Sequence, residues 1–140
     1  MSDKWDKDDL IYAAGFLDGE GSFFINEKDW KISVSCTNTN KPIIEWFKKT
    51  FGGSICKNAT QLRKLNHRRC FSWQIVCQDA ENLCKAIVPY LHEKTEQALL
   101  LIALRQTVDT KIRKRLSSDI ILERQWYSNH LKELKHVSWK

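Results

Sequence analysis

Between residues 31 and 39 the chain reads KISVSCTNT, in which Ile32, Val34 and Cys36 alternate with Lys31, Ser33, Ser35 and Thr37. A period of two places one side of an extended strand on a core and leaves the other side polar, which no helix can satisfy. The same pattern returns in RCFSWQIVCQ, where Phe71, Trp73 and Ile75 alternate with Ser72 and Gln74. Each segment is expected to be the second arm of a hairpin. SFFINEK precedes the first across the turn EKDW, and SICKN precedes the second across the basic connection ATQLRKLNHR. A slip of one residue in the second hairpin would exchange its two faces.

Helical patterns separate these strands. A first helix, about 8–20, can be capped by Asp6 and is ended by Gly21. Pro42 opens KPIIEWFKKTF, with Ile43, Trp46, Phe47 and Phe51 as its apolar face and Gly52–Gly53 as its stop. A short helix is expected from Asp79 to Val88, and C-terminal helices from about 95 to 136. The last of these starts near Asp119 and carries Ile120, Tyr127, Leu131 and Leu134 on one face. With hairpins at about 21–39 and 53–78, this order predicts an α+β fold in a single domain, 1–140. Its one antiparallel sheet would take helices on the apolar face and leave a polar, basic face open.

The charge balance points to a partner. Twenty-three Lys and Arg against 17 Asp and Glu give +6, which suits a polyanion. The five cysteines are odd in number and form no Cys-x-x-Cys pair, so they read as reduced, small apolar residues. The apolar run ALLLIAL is far below the roughly 18 residues that a membrane span needs. With no signal-peptide or transit-peptide pattern at the N-terminus, a soluble intracellular protein without membrane contact is expected.

One stretch conflicts with ordinary helix electrostatics. YAAGFLDGEGSFFI, residues 12 to 25, runs an apolar helix into Asp18 and Glu20, yet a helix C-terminus already carries partial negative charge and unpartnered carbonyls. An oxygen-lined helix end of this kind suits a hard divalent cation such as Mg²⁺. Gly15 and Gly19 stand four apart with Ala14 beside them, a spacing that lets two helices approach with almost no side chain between them. Each glycine costs the helix about 1 kcal/mol relative to alanine, so the pair implies a packing or functional need.

The stretch resembles the signature of the LAGLIDADG homing endonucleases, with Ala13 to Gly21 on its nine positions. NTNKPIIEWF and VPYLHEKTEQA also resemble the single-motif, homodimeric branch, and the likeness runs over about residues 4–108. It implies the αββαββα homing-endonuclease fold with a saddle-shaped sheet. It also implies metal-dependent hydrolysis of both strands of a long pseudo-palindromic DNA site, leaving short 3′ overhangs, with Mg²⁺ as cofactor and Mn²⁺ able to substitute. By the same resemblance Glu20 binds the metal, with the carbonyl of Gly19 as second ligand. Asp18 is then a structural or capping acid, Asn40 orders the attacking water, with Asn38 as rival, and Lys94 steadies that water or the developing charge. Ala14, Gly15, Asp18 and Gly19 are the expected dimer interface.

One motif per chain supplies one metal-binding acid, so two cuts require two copies. The expected DNA-contacting residues are Asn26, Lys28, Lys31, Ser33, Ser35 and Thr37 from the first hairpin, and Arg63, Lys64, His67, Arg68, Ser72 and Gln74 from the second. Arg113 and Lys114, with Lys111 and Arg115, suit backbone phosphates. The competing readings are an RNA maturase that binds a structured intron, and a DNA-binding protein that does not cleave. The host would be the organelle, bacterium or phage-infected cell whose genome carries the element.

Overall fold

The computed structural model describes residues 4–57, 70–108 and 118–137. Its elements are α1 (Lys7–Glu20), β1 (Gly21–Ile25), β2 (Ile32–Asn38), α2 (Lys41–Phe51), β3 (Ser54–Lys57) and β4 (Phe71–Val76). These are followed by α3 (Cys77–Ile87), a 3-10 turn (Val88–Tyr90), α4 (Thr95–Gln106) and α5 (Ser118–Val137). The strands form one antiparallel sheet in the order β1-β2-β4-β3, so the two hairpins lie side by side with β2 against β4. The fold is α+β, as the alternation of periods predicts.

Register sorts the side chains. On one face Phe23, Val34 and Ile75 lie in a row across three strands, and Cys36 and Trp73 pair beside them; all are at most 2% exposed. Against this face pack Leu10, Ala13, Ala14 and Leu17 of α1, Ile44, Phe47 and Phe51 of α2, and Leu83, Cys84 and Ile87 of α3. Phe47 and Trp73 sit with ring centroids 4.8 Å apart at the middle of the core. Removing either ring would cost about 3–5 kcal/mol through lost burial and the cavity left behind. The Trp73 indole N–H donates to the carbonyl of Gly52 at 2.7 Å, which satisfies the one polar atom this ring brings inside. Gly53 permits that approach: its φ is 87°, and a Cβ there would lie 2.4 Å from the carbonyl oxygen of Gln74.

Several boundaries differ from expectation. β1 stops at Ile25, three residues early, because Asn26 folds back and its side-chain oxygen accepts the N–H of Lys28 at 2.9 Å. α3 begins at Cys77, two residues before Asp79, straight out of β4 through a residue with φ 55°. Asp6 is the N-cap of α1 in position, but its side chain makes no capping bond. On α2 the fully buried isoleucine is Ile44, while Ile43 and Trp46 are half-buried. No described helix is long and apolar enough to cross a membrane.

Candidate nucleic-acid and metal site

The end of α1 is closed by a residue from far along the chain. Gly21 N–H donates to the carbonyl of Leu17, and the Lys94 ammonium donates to the carbonyls of Leu17 at 3.2 Å and Gly21 at 2.6 Å. A cation at a helix C-terminus is favoured by the dipole and satisfies orphan carbonyls. The positive charge that Asp18 and Glu20 demand is therefore met within the chain by Lys94, before any metal is considered. Burial holds the Lys94 ammonium below its ordinary pKa, against the opposing pull of Asp18, Glu93 and Glu20.

Asp18 returns the contact. Its two carboxylate oxygens accept the backbone N–H groups of His92 at 2.8 Å, Glu93 at 3.1 Å and Lys94 at 3.0 Å, at the start of α4. The negative end of α1 and the positive end of α4 are thus clasped by side chains of opposite charge, each reaching to the other helix. Asp18 is half-buried and bonded within its own chain in this way. Of the residues expected at the dimer interface, Ala14 is 0% exposed, buried in the chain's own core, and so cannot touch a second copy.

Beyond its first turn, α1 shows Ile11, Tyr12, Gly15, Gly19 and Glu20 to solvent. A Cβ added at Gly15 or Gly19 would meet nothing within 4 Å, so nothing in this chain's own packing demands glycine at either position. Glu20 is exposed at the helix end, beside the buried Cys36 thiol. That thiol is pushed up to about 12, first by burial and then by the charge of Glu20, so it stays protonated and is no soft ligand. Gly19 lies in a cleft of about 420 Å³ that Asp18, Lys94, Glu96 and Leu134 also line. Among the described residues no three His, Cys, Asp or Glu side chains gather as a metal site. One carboxylate and one main-chain carbonyl fit a hard cation that keeps most of its waters, as Mg²⁺ does.

Asn40 follows β2 at the end of the sheet where α1 runs into β1, since Gly21 pairs with Cys36. It is the N-cap of α2, its side-chain oxygen accepts the N–H of Ile43 at 3.4 Å, and it borders a separate cleft with Asp9, Tyr12 and Trp46. Its rival Asn38 accepts the N–H of Asn40 at 2.8 Å. The structure brings Lys94 to the helix end that carries Glu20, and each asparagine oxygen accepts one local backbone N–H.

The open face of the sheet is rich in hydroxyls. Ser22, Ser35, Gln74 and Ser54 form one cross-strand row, and Thr37, Ser72 and Cys56 another. Thr37 and Ser72 hydroxyls lie 2.8 Å apart in a hydrogen bond. Ser33, Ser35, Thr37, Ser72 and Gln74 therefore share one surface, and the facing of β4 is fixed by the burial of Trp73 and Ile75. Asn26, Lys28 and Lys31 stand at the β1–β2 turn instead of along a strand. Arg63, Lys64, His67, Arg68, Lys111, Arg113, Lys114 and Arg115 lie outside the described residues. The alternation alone did not single out Phe24, a half-exposed aromatic on the open face, or Glu27 beside it in the turn.

No protein-family model matches the chain, and no curated protein matches it. Solved structures do. The archaeal intron-encoded homing endonuclease I-Vdi141I, complexed with DNA, superposes with a TM-score of 0.72 at 17% identity, over 92% of this chain and 86% of that one. The homing endonuclease I-CvuI, in complex with its target in the presence of Ca, superposes with a TM-score of 0.68 at 16% identity, over 90% of this chain and 81% of that one. A second I-CvuI complex, with Mg present and its DNA not cleaved, gives 0.67 at 17% identity. The chain has the homing-endonuclease fold.

Proposed function

We propose that this chain is a single-motif LAGLIDADG homing endonuclease, acting as a homodimer that cuts both strands of a long pseudo-palindromic DNA site and leaves short 3′ overhangs. The observation that carries the reading is the solvent face of α1. It presents Gly15, Gly19 and Glu20 together, and the glycines have no reason within the chain to be glycines. A second copy meeting this face across a two-fold axis supplies the reason and brings two Glu20 carboxylates to one place. The likeness to endonucleases solved on DNA supports the same reading.

Glu20 and the carbonyl of Gly19 would hold Mg²⁺, with Mn²⁺ able to substitute. Such an ion lowers the pKa of a bound water and stabilises the leaving oxygen. The chain's own residues prepare the ground. Lys94, fixed on the carbonyls of Leu17 and Gly21, keeps the helix end that bears Glu20 in place and carries positive charge toward the phosphate. Asn40 caps α2 with one lone pair of its oxygen, which leaves the second lone pair and the NH₂ group for a contact with the attacking water. The open hydroxyl face would lie in the major groove, where base edges offer distinct donors and acceptors.

The test is a cleavage selection from a randomised duplex pool with Mg²⁺, run beside Glu20→Gln. Enrichment of one pseudo-palindromic duplex, cut by the unmodified chain and only bound by the variant, is the expected result. Retention of a folded RNA, or of a duplex that neither protein cuts, would replace the endonuclease with a maturase or a non-cleaving DNA-binding protein.

A further inference from the structure

The long C-terminal helix does more than cover α4. Oε2 of Glu27, in the turn between β1 and β2, accepts from three α5 donors: Ser128 Oγ at 2.5 Å, Lys132 Nζ at 2.9 Å and Gln125 Nε2 at 3.0 Å. Farther along α5 the Lys135 ammonium lies over the ring of Phe24, 5.8 Å from its centroid. β1 is an edge strand, so its turn gains no order from a further neighbour in the sheet. Local bonds shape the turn itself, Asn26 accepting the N–H of Lys28 and Asp29 that of Lys31, and the half-buried Trp30 packs against the core near its far end. The Glu27 contacts tie its near side to α5.

The exposed Lys28 and Lys31 lie one and four positions beyond Glu27. Asp29, between the two lysines, lies 4.0 Å from the Lys31 ammonium, and a second open carboxylate at Glu27 would add to the repulsion of phosphates. Three donors, one of them an ammonium, offset that charge and hold Glu27 well below the ordinary carboxylate range, at about 2. Fixing a turn before it binds removes the ordering cost from the binding step and restricts which contacts it can make.

We infer that Glu27 is a positioning residue for DNA reading: α5 braces the β1–β2 turn through it, so that Lys28 and Lys31 meet the duplex in one placement. This rests on the endonuclease reading above and extends it to a helix for which that reading has no other use.

The experiment compares the unmodified chain with Glu27→Ala and Glu27→Gln by two readouts, amide hydrogen exchange over residues 26–31 and the base preference recovered from duplex selection. Glu27→Ala is expected to speed exchange in the turn. It should also reduce discrimination by roughly tenfold at one block of positions in each half-site, a loss of the order of one base contact, with the preference at the other positions retained. Glu27→Gln keeps an acceptor for Ser128 and Gln125 and should fall between the two; if the alanine variant fails to fold, this comparison decides. Unchanged exchange, an unchanged preference in a loosened turn, or an equal loss at every position would each overturn the inference alone. Failure of the unmodified chain to select any duplex would overturn the endonuclease reading and this inference with it.

Discussion

Asp18 and Glu20 stand two positions apart and have opposite employments. Asp18 is half-buried and filled by three N–H donors; Glu20 is exposed and open. Asp18→Ala should therefore cost about 1–3 kcal/mol of stability in denaturant unfolding, since it strips the start of α4 of its acceptor and removes the first of the carboxylates that favour the Lys94 ammonium. Glu20→Gln should stay within about 0.5 kcal/mol of the unmodified chain in the same measurement, as surface changes do, while abolishing cleavage. Glu27 adds a pH dependence with a definite sign. Because its folded pKa is lowered from 4.5 to about 2, its contribution is complete above pH 4.5 and is lost as the pH falls toward 2. Thermal unfolding at steps from pH 6 to pH 2 should show a component of acid destabilisation that Glu27→Gln removes. The sequence displayed the electrostatic conflict at the end of α1 plainly, but it did not show that Lys94 resolves it. A contact between Lys94 and Leu17 leaves no local pattern, and only the resemblance pointed to that lysine.

The two-residue and helical periods made the strands and helices legible, including the side of β4 that faces the core. The errors fell where a single side chain overrode the period: Asn26 ended β1 by capturing the N–H of Lys28, and the turn at Cys77 started α3 early. The face of α1 was misread in one respect for a similar reason. Small residues at 14, 15 and 19 looked like one stripe, but Ala14 lies on the buried side, where a side chain of its size fits against the sheet. The exposed pair, Gly15 and Gly19, gives a prediction with two opposite signs. Gly15→Ala and Gly19→Ala have room in the isolated chain and should each stabilise the helix by about 1 kcal/mol, raising the unfolding temperature of the monomer. The same methyl groups would hold two helices apart, so sedimentation should show weaker self-association. Stabilisation without any loss of association would place the dimer contact elsewhere.

Helices on one side and hydroxyls on the other make the sheet a platform, and α5 ties its edge through Glu27 and Phe24. Much of the positive charge sought for DNA lies in segments outside the described residues, so the described part of the open face is hydroxylic, not basic, with Lys28 and Lys31 at its turn. If binding relies on phosphate contacts, affinity for the selected duplex should fall steeply and linearly in log–log form as salt rises, and titrations at several ionic strengths would give the number of contacts. In the proposed dimer each chain contributes one Glu20 and therefore one cut. Dimers carrying one unmodified chain and one Glu20→Gln chain, purified with two different tags, should nick a single strand of the selected duplex and leave the other intact. A double-strand break by the mixed dimer, at the rate of the unmodified one, would contradict it.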